Sequence, residues 1–157
     1  MKRIIASTLT ALILTTGLAF ACIAGCAKKS EQVKQTATAY LNQAGNAITA
    51  TVDLSNGYSC DFARGAIYLY DQENKEGVPS VAMGIAIDED VYNDHIKASK
   101  EAKDSTEIKD GIMYSADGRM IYVCKVGEAG FFGVFAEHAS PAQMENLISR
   151  FEVVPEI

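Results

Sequence analysis

Tryptophan is absent from this 157-residue chain, and histidine occurs only twice, at His95 and His138. Neither an H-E-x-x-H nor a G-x-S-x-G sequence is present, so the chain lacks the motifs of zinc proteases and of serine hydrolases. It also has no run rich in Lys and Arg, and its formal net charge is −6. A negative chain without a basic patch is not expected to bind nucleic acid.

Length and hydropathy narrow the class of protein further. A chain of 157 residues provides one ordinary domain. Its hydrophobic fraction of 48% and its mean hydropathy of +0.04 are typical of neither a disordered chain nor a polytopic membrane protein. We therefore expect a single folded domain.

The amino terminus has the pattern of a secretory leader. Lys2 and Arg3 give it a positive start, and residues 4–24 contain no charged side chain. Several Thr residues and a Gly interrupt the apolar run, which makes it a poor permanent membrane helix. The pattern therefore favours export over a transmembrane anchor.

Residues 23–26, with the sequence IAGC, resemble the lipobox of bacterial lipoproteins, in which an aliphatic residue and two small residues precede a cysteine. The resemblance implies cleavage of a signal peptide at residues 1–25 and attachment of a thioether-linked diacylglycerol to Cys26, with fatty acids such as palmitate. Cys22 is a second candidate, but the bulky Phe20 departs from the pattern. The implied location is the extracytoplasmic side of the cell membrane, where the lipid on Cys26 is the anchor.

Cleavage would make the remaining chain more acidic. It removes Lys2 and Arg3 but no acid, so the net charge falls from −6 to −8. An acidic body is repelled by anionic lipid, whereas two acyl chains suffice for stable anchoring. We therefore expect attachment to depend on the lipid.

Residues 26–50 are interpreted as the lipidated cysteine, a spacer and a helix. The spacing predicts a helix over 31–49, because five residues then share one face: Val33, Ala37, Tyr40, Ala44 and Ala47. This helix is expected either to act as a stalk or to dock on the domain.

Residues 51–157 are predicted to form one α+β domain. Strands are expected at 63–70 and 81–87, and a helix with an acidic start at 88–103. The mixed charges between Lys97 and Asp110 are assigned to the solvent-exposed face of that helix and to the loop that follows it.

Residues 111–137 have the clearest secondary-structure pattern in this domain. Asp117 and Gly118 separate two apolar runs, which predicts a two-residue hairpin within a three-strand antiparallel meander. A capping box at residues 140–143 starts a last helix, whose apolar face contains four residues: Met144, Leu147, Ile148 and Phe151.

The predicted fold class is α+β, with an antiparallel sheet packed by helices. The order of elements over residues 51–154 resembles the layout of the PsbP protein of photosystem II and its relatives. The resemblance is one of layout, so it implies a fold and carries no functional residue.

Export from the cytoplasm permits a disulfide between the two remaining cysteines, Cys60 and Cys124. The alternative is two buried thiols that act as small apolar side chains. A catalytic thiol is not expected, since neither cysteine has an obvious base near it in the sequence.

No metal site and no cofactor are expected. A zinc site with histidine ligands would require His95 and His138 to meet. The acidic residues of 88–94 lack the glycine of a calcium loop and suit a helix start. The glycines within 127–133 lack the Lys and Ser/Thr of a phosphate loop, so they are interpreted as turn and packing residues.

The leading functional hypothesis is a lipid-anchored envelope protein that is not an enzyme and binds an unknown protein or small ligand. The alternative is a small envelope enzyme whose site is assembled from scattered Asp, Glu, His and Tyr. A purely structural envelope component is the third hypothesis. The tyrosines Tyr58, Tyr68, Tyr70, Tyr114 and Tyr122 suit either a binding face or half-buried strands.

Overall fold

The computed structural model describes residues 35–43, 45–71 and 81–156, which lie in one compact unit. The predicted leader, residues 1–25, and the predicted lipidation site Cys26 lie outside the described residues. In chain order, the elements are β1 (Thr36–Gln43), β2 (Asn46–Asp53), β3 (Tyr58–Ala63), β4 (Ala66–Asp71), β5 (Val81–Ala86), α1 (Glu89–Glu101), β6 (Ser105–Ile108), β7 (Gly111–Ala116), β8 (Arg119–Val126), β9 (Gly130–Glu137), α2 (Pro141–Ser149) and β10 (Phe151–Pro155).

The strands form two antiparallel sheets. The main sheet has seven strands in the order β3-β4-β5-β9-β8-β7-β6, and the small sheet has the order β1-β2-β10. Helix α1 packs on β7 and β8 of the main sheet. Helix α2 packs on β8, and the small sheet packs on β5, β8 and β9. The predicted antiparallel sheet is confirmed, and the described residues are mostly sheet with two helices, which agrees with an α+β class.

Two apolar clusters hold these layers together. The larger one joins the small sheet and α2 to the main sheet, and includes Ile48, Val52, Phe132, Met144 and Phe151. The smaller one lies between α1 and the main sheet, and includes Tyr114, Ile121, Val123 and Phe131. The apolar part of β8 is therefore covered on both faces, as its apolar residues require.

Asn46 connects the two sheets by hydrogen bonds. Its side-chain amide donates to the carbonyl oxygen of Ile87 at 2.5 Å and to that of Phe131 at 2.7 Å. The side chain is 7% exposed, so each bond forms away from water. The start of β2 is thereby fixed against the end of β5 and the start of β9.

Local sequence signals position both helices as predicted. The Asp88 carboxylate caps α1 by accepting from the backbone N–H of Val91 at 2.8 Å. Ser140 and Gln143 form the reciprocal capping box of α2, with Pro141 in its first turn. These caps satisfy backbone donors that have no partner inside a helix.

The predicted hairpin is confirmed. Asp117 and Gly118 have φ values of 51° and 76°, and Ala116 pairs with Arg119. Strands β7, β8 and β9 follow one another as the expected antiparallel meander.

The helix predicted over residues 31–49 is wrong in the part that the structure describes. Strand β1 pairs with β2 throughout its length, from Thr36 opposite Asp53 to Gln43 opposite Asn46. Alternate residues point inward, so Leu41 and Ile48 are buried, which a helix with a mostly alanine face would not achieve. The expected domain start at residue 51 lies inside β2, and residues 31–34 lie outside the described residues.

The carboxyl-terminal part differs from the prediction in a smaller way. Helix α2 ends at Ser149, so Phe151 belongs to β10 and not to the helix. Phe151 is nevertheless buried, and Gly84 lies against its ring, where a Cβ would come within 2.7 Å. The apolar residues after it pair with β2 as a third strand of the small sheet.

Candidate binding groove

Helix α1 leaves part of its side of the main sheet uncovered. A groove of about 460 Å³ lies there, and we call it the sheet-face groove; it is lined by Tyr68, Met83, Arg119, Phe135, Ala136 and Glu137. Three strands of the centre, β4, β5 and β9, supply its apolar side chains, and β8 supplies the arginine.

The register of the main sheet places the apolar lining in one row. Tyr68 pairs with Met83, Met83 with Phe135, and Phe135 with Ile121. Directly paired residues point to the same face of a sheet. Ile121 is buried in the cluster beneath α1, whereas the other three are half-buried. The groove is therefore the uncovered continuation of the core on this face.

A glycine sets the position of the Phe135 ring. A Cβ added to Gly133 would lie 2.7 Å from Cε2 of Phe135, which is closer than real contacts allow. The absence of a side chain at Gly133 lets the ring lie over the strand. The shape of the groove floor depends on this pair.

An ion pair lies at one end of the groove. Arg119 and Glu137 are directly opposite each other on β8 and β9, and Arg119 Nη2 is 3.1 Å from Glu137 Oε1. Both side chains are more than half exposed, so the pair contributes little to stability. It does give an otherwise apolar groove one cationic and one anionic group.

His95 joins α1 to the groove floor. Its Nδ1 is 2.6 Å from the Tyr114 hydroxyl, and its ring centroid is 5.5 Å from that of Phe135. Burial lowers the pKa of His95, and the nearby Asp94 opposes that shift. Burial also raises the pKa of Tyr114. This pair is an uncharged contact between helix and sheet.

The two cysteines considered for a disulfide are free in the structure. Cys60 lies on β3 and Cys124 on β8, with three strands between them in the sheet. Four interstrand steps of about 4.8 Å along a sheet far exceed the Cα separation of about 7 Å that a disulfide tolerates. The two thiols are thus placed as separate side chains.

Cys124 lines a cavity of about 170 Å³ next to β10 and α2, together with Tyr122, Phe132 and Phe151. Burial is the main cause that raises the pKa of Cys124, and it also raises the pKa of Tyr122 on the same strand. Burial raises the pKa of Cys60 as well. A thiol with a raised pKa carries little thiolate, the nucleophilic form.

The remaining residues considered from the sequence lie apart. His138 follows β9 with a φ of 57°, and Asp88 is used as the cap of α1. Among residues 35–43, 45–71 and 81–156, no group of three or more His, Cys, Asp and Glu side chains could hold a metal ion. The sequence did not identify Met83, Phe135, Arg119 or Glu137 as lining one groove.

The tyrosines do not share one face. Tyr114 and Tyr122 are buried on opposite sides of the main sheet, in different clusters. Tyr58 packs under the guanidinium of Arg150, 3.5 Å from its ring centroid, and accepts a hydrogen bond from Asn146. Tyr68 is the one of these that lines the sheet-face groove.

Comparisons with protein-family models, with curated proteins and with solved structures found no match to the chain. Within the part of the chain that the structure describes, neither helix is long and apolar enough to cross a membrane.

Proposed function

We propose that this chain is a lipid-anchored envelope protein without catalytic activity, which uses the sheet-face groove to bind a small ligand or a protein side chain on the extracytoplasmic side of the membrane. The observation that carries the binding role is the uncovered row formed by Tyr68, Met83 and Phe135. The lipobox-like residues 23–26 and the charged, then apolar, leader support the anchor.

The size and composition of the groove suit such a ligand. Small-molecule sites usually have volumes of about 300–1,000 Å³ and apolar linings with a few polar groups. The groove has about 460 Å³, and its polar groups include Arg119 and Glu137. A ligand with an apolar body and a polar end would cover the row and reach the ion pair.

The competing proposal is a small envelope enzyme with a site made from scattered Asp, Glu, His and Tyr. It has less support, because His95 Nδ1 is held by the Tyr114 hydroxyl and burial raises the pKa of both thiols. A catalytic base or nucleophile needs access to substrate and a pKa suited to its task. The sheet-face groove provides apolar contact area instead.

The anchor is tested by growing the source cells with alkyne-tagged palmitate. We expect the label on the natural chain and on Cys22→Ser, and its loss in Cys26→Ser, because only a thiol can form the thioether. Label that persists in Cys26→Ser would assign lipidation to another residue.

The groove is tested with 1-anilinonaphthalene-8-sulfonate, a dye with apolar rings and an anionic group. We expect Met83→Glu to weaken dye binding at least fivefold, because it places a carboxylate in the apolar row. Met83→Leu is the matched control, since it keeps an apolar side chain of similar volume. Equal binding by both variants, at unchanged melting temperature, would contradict the proposed site.

A further inference from the structure

A second groove lies along the free edge of the small sheet. It has a volume of about 340 Å³ and is lined by Thr38–Leu41 of β1 and by Phe62–Ala66, which span the end of β3, the turn after it and the start of β4. We call it the edge groove. It shares no lining residue with the sheet-face groove.

The main-chain groups on one side of β1 are directed away from its neighbour. Among the described residues, β2 is the only strand paired with β1. Gln35 accepts a hydrogen bond from the backbone N–H of Leu54 at 2.7 Å, which fixes the alternation of bonds along the register. Ala39 and its odd-numbered neighbours thus bond to β2, whereas Thr38 and Tyr40 present N–H and C=O groups to the free edge.

The other three edges of the two sheets that the described residues form carry features that discourage strand pairing. Strand β3 has the exposed Asp61, β6 is only four residues long with the exposed Glu107, and β10 contains Glu152 and Pro155. Charges, short length and proline are the usual protection of an edge. Strand β1 is eight residues long, has neither charge nor proline, and keeps an unbroken register with β2.

Exposed aromatic rings stand on both sides of the edge groove. Tyr40 on β1 is 60% exposed, and Phe62 beside the β3–β4 turn is 48% exposed. Large apolar side chains that are exposed together and line one groove are typical of an interaction site. Here they flank main-chain groups that are ready to pair.

The one charged residue that lines the edge groove is Arg64. It is exposed and lies in the β3–β4 turn with a φ of 53°. Within the described ranges, Arg64 forms no ion pair; the ion pair there joins Arg119 and Glu137. An exposed guanidinium without an ion-pair partner among the described residues is suited to bind a carboxylate, through two parallel hydrogen bonds.

We propose that the edge groove binds an extended peptide segment of another protein, which adds to β1 as a strand and offers a carboxylate to Arg64. Main-chain hydrogen bonds to Thr38 and Tyr40 would provide affinity, and apolar side chains over Tyr40 and Phe62 would provide selectivity. The β3–β4 turn bounds the groove on its far side, which favours a single extended segment over the sheet of a second copy. The proposal does not depend on lipidation or on the sheet-face groove.

Hydrogen exchange of the full chain, followed by NMR, tests whether the edge is open. The amides of Thr38 and Tyr40 should exchange fast in the free protein, while those of Ala39 and Leu41 on the same strand should be protected by β2. Protection of Thr38 and Tyr40 in a monomeric free chain would show that a segment of the chain itself covers the edge. Protection that appears with dimer formation would assign the edge to a second copy, and either result overturns the proposal.

Selection of binders from a random dodecapeptide library on phage tests the partner. We expect enriched peptides that contain Asp or Glu, and slower exchange of the Thr38 and Tyr40 amides when they bind. Thr38→Pro should weaken them at least tenfold, because it removes a free-edge N–H while leaving the bonds to β2. Thr38→Val is the control, since it loses only the hydroxyl contact with Thr51.

Arg64→Asn removes the charge of the side chain. Asparagine is chosen because it tolerates the positive φ at this position. This variant should bind acidic peptides about threefold more weakly, as expected for loss of an exposed ion pair. Lys103→Asn removes a cation outside the groove and should change nothing. Failure to enrich any peptide, or enriched peptides that bind Thr38→Pro and Arg64→Asn as well as the natural chain, would overturn the proposal.

Discussion

At the scale of single residues, His95 shows how the helix side of the main sheet stays apolar despite a titratable group. Its Nδ1 lies 2.6 Å from the Tyr114 hydroxyl, which can donate to an unprotonated ring nitrogen. Protonation would replace that acceptor with a second donor and place a charge beside the Phe135 ring in a partly buried site. The neutral form of His95 is therefore the one that the packing favours.

This preference predicts a pH dependence of stability. Burial lowers the pKa of His95 below its ordinary value of 6.5 in the folded state, while the unfolded chain keeps that value. Between the two values the unfolded state binds more protons, so the free energy of unfolding should fall as the pH drops below 6.5. Urea denaturation at about pH 7.5 and about pH 5.5 measures the difference.

Two substitutions make the pH result specific. His95→Gln keeps a polar side chain that cannot be protonated, so its stability should fall less over the same pH range. His138→Gln should behave like the natural chain. A loss of equal size in His95→Gln would show that other groups cause the pH dependence.

At the scale of elements, turns decide where strands end and pair. Gly118 has a φ of 76°, and nothing lies within 4 Å of the place where its Cβ would be. Gly118→Val should lower the free energy of unfolding by about 1 kcal/mol or more, because a β-branched residue resists a positive φ. Gly118→Asn should be much milder, and chemical denaturation of both variants checks the contrast. Equal stability of Gly118→Val and the natural chain would contradict this role of the turn.

Elements with a local signal could be predicted from the sequence. Both helix caps and the Asp117–Gly118 turn depend on neighbouring residues, so the helices and the meander were found. The β1–β2 hairpin was missed because its small residues fit a helical spacing as well as an alternating one. The alternation of Leu41, Ile48 and Val52 is decided by burial against the main sheet, which no local window contains.

The sheet-face groove could not be predicted for a similar reason. Tyr68, Met83 and Phe135 are far apart in the sequence, and they meet only through the order and register of β4, β5 and β9. The sequence supplied the alternation that puts each of them on one face of its strand. It did not supply the extent of α1 coverage, which decides that these residues stay accessible.

At the scale of the whole molecule, charge and the proposed lipid anchor would act in opposite directions. The chain after cleavage would carry a net charge of −8, and the basic cluster next to the proposed lipid in the sequence is Lys28 and Lys29. Anionic lipid repels such a body, so charge cannot hold the domain at the surface. The proposed diacylglycerol and fatty acid on Cys26 would hold it by hydrophobic insertion alone, leaving the domain free to meet partners.

This balance gives a prediction about membrane attachment. Washing isolated membranes with about 1 M NaCl reduces the Debye length to about 3 Å, which removes attachment through basic residues. The protein should stay with the membranes in that wash and leave them in detergent. The double variant Lys28→Ala and Lys29→Ala should be retained to the same extent, because burial of acyl chains does not depend on those charges. Release of the natural chain by salt, measured by immunoblotting of the supernatant, would assign attachment to charge and contradict the lipid anchor.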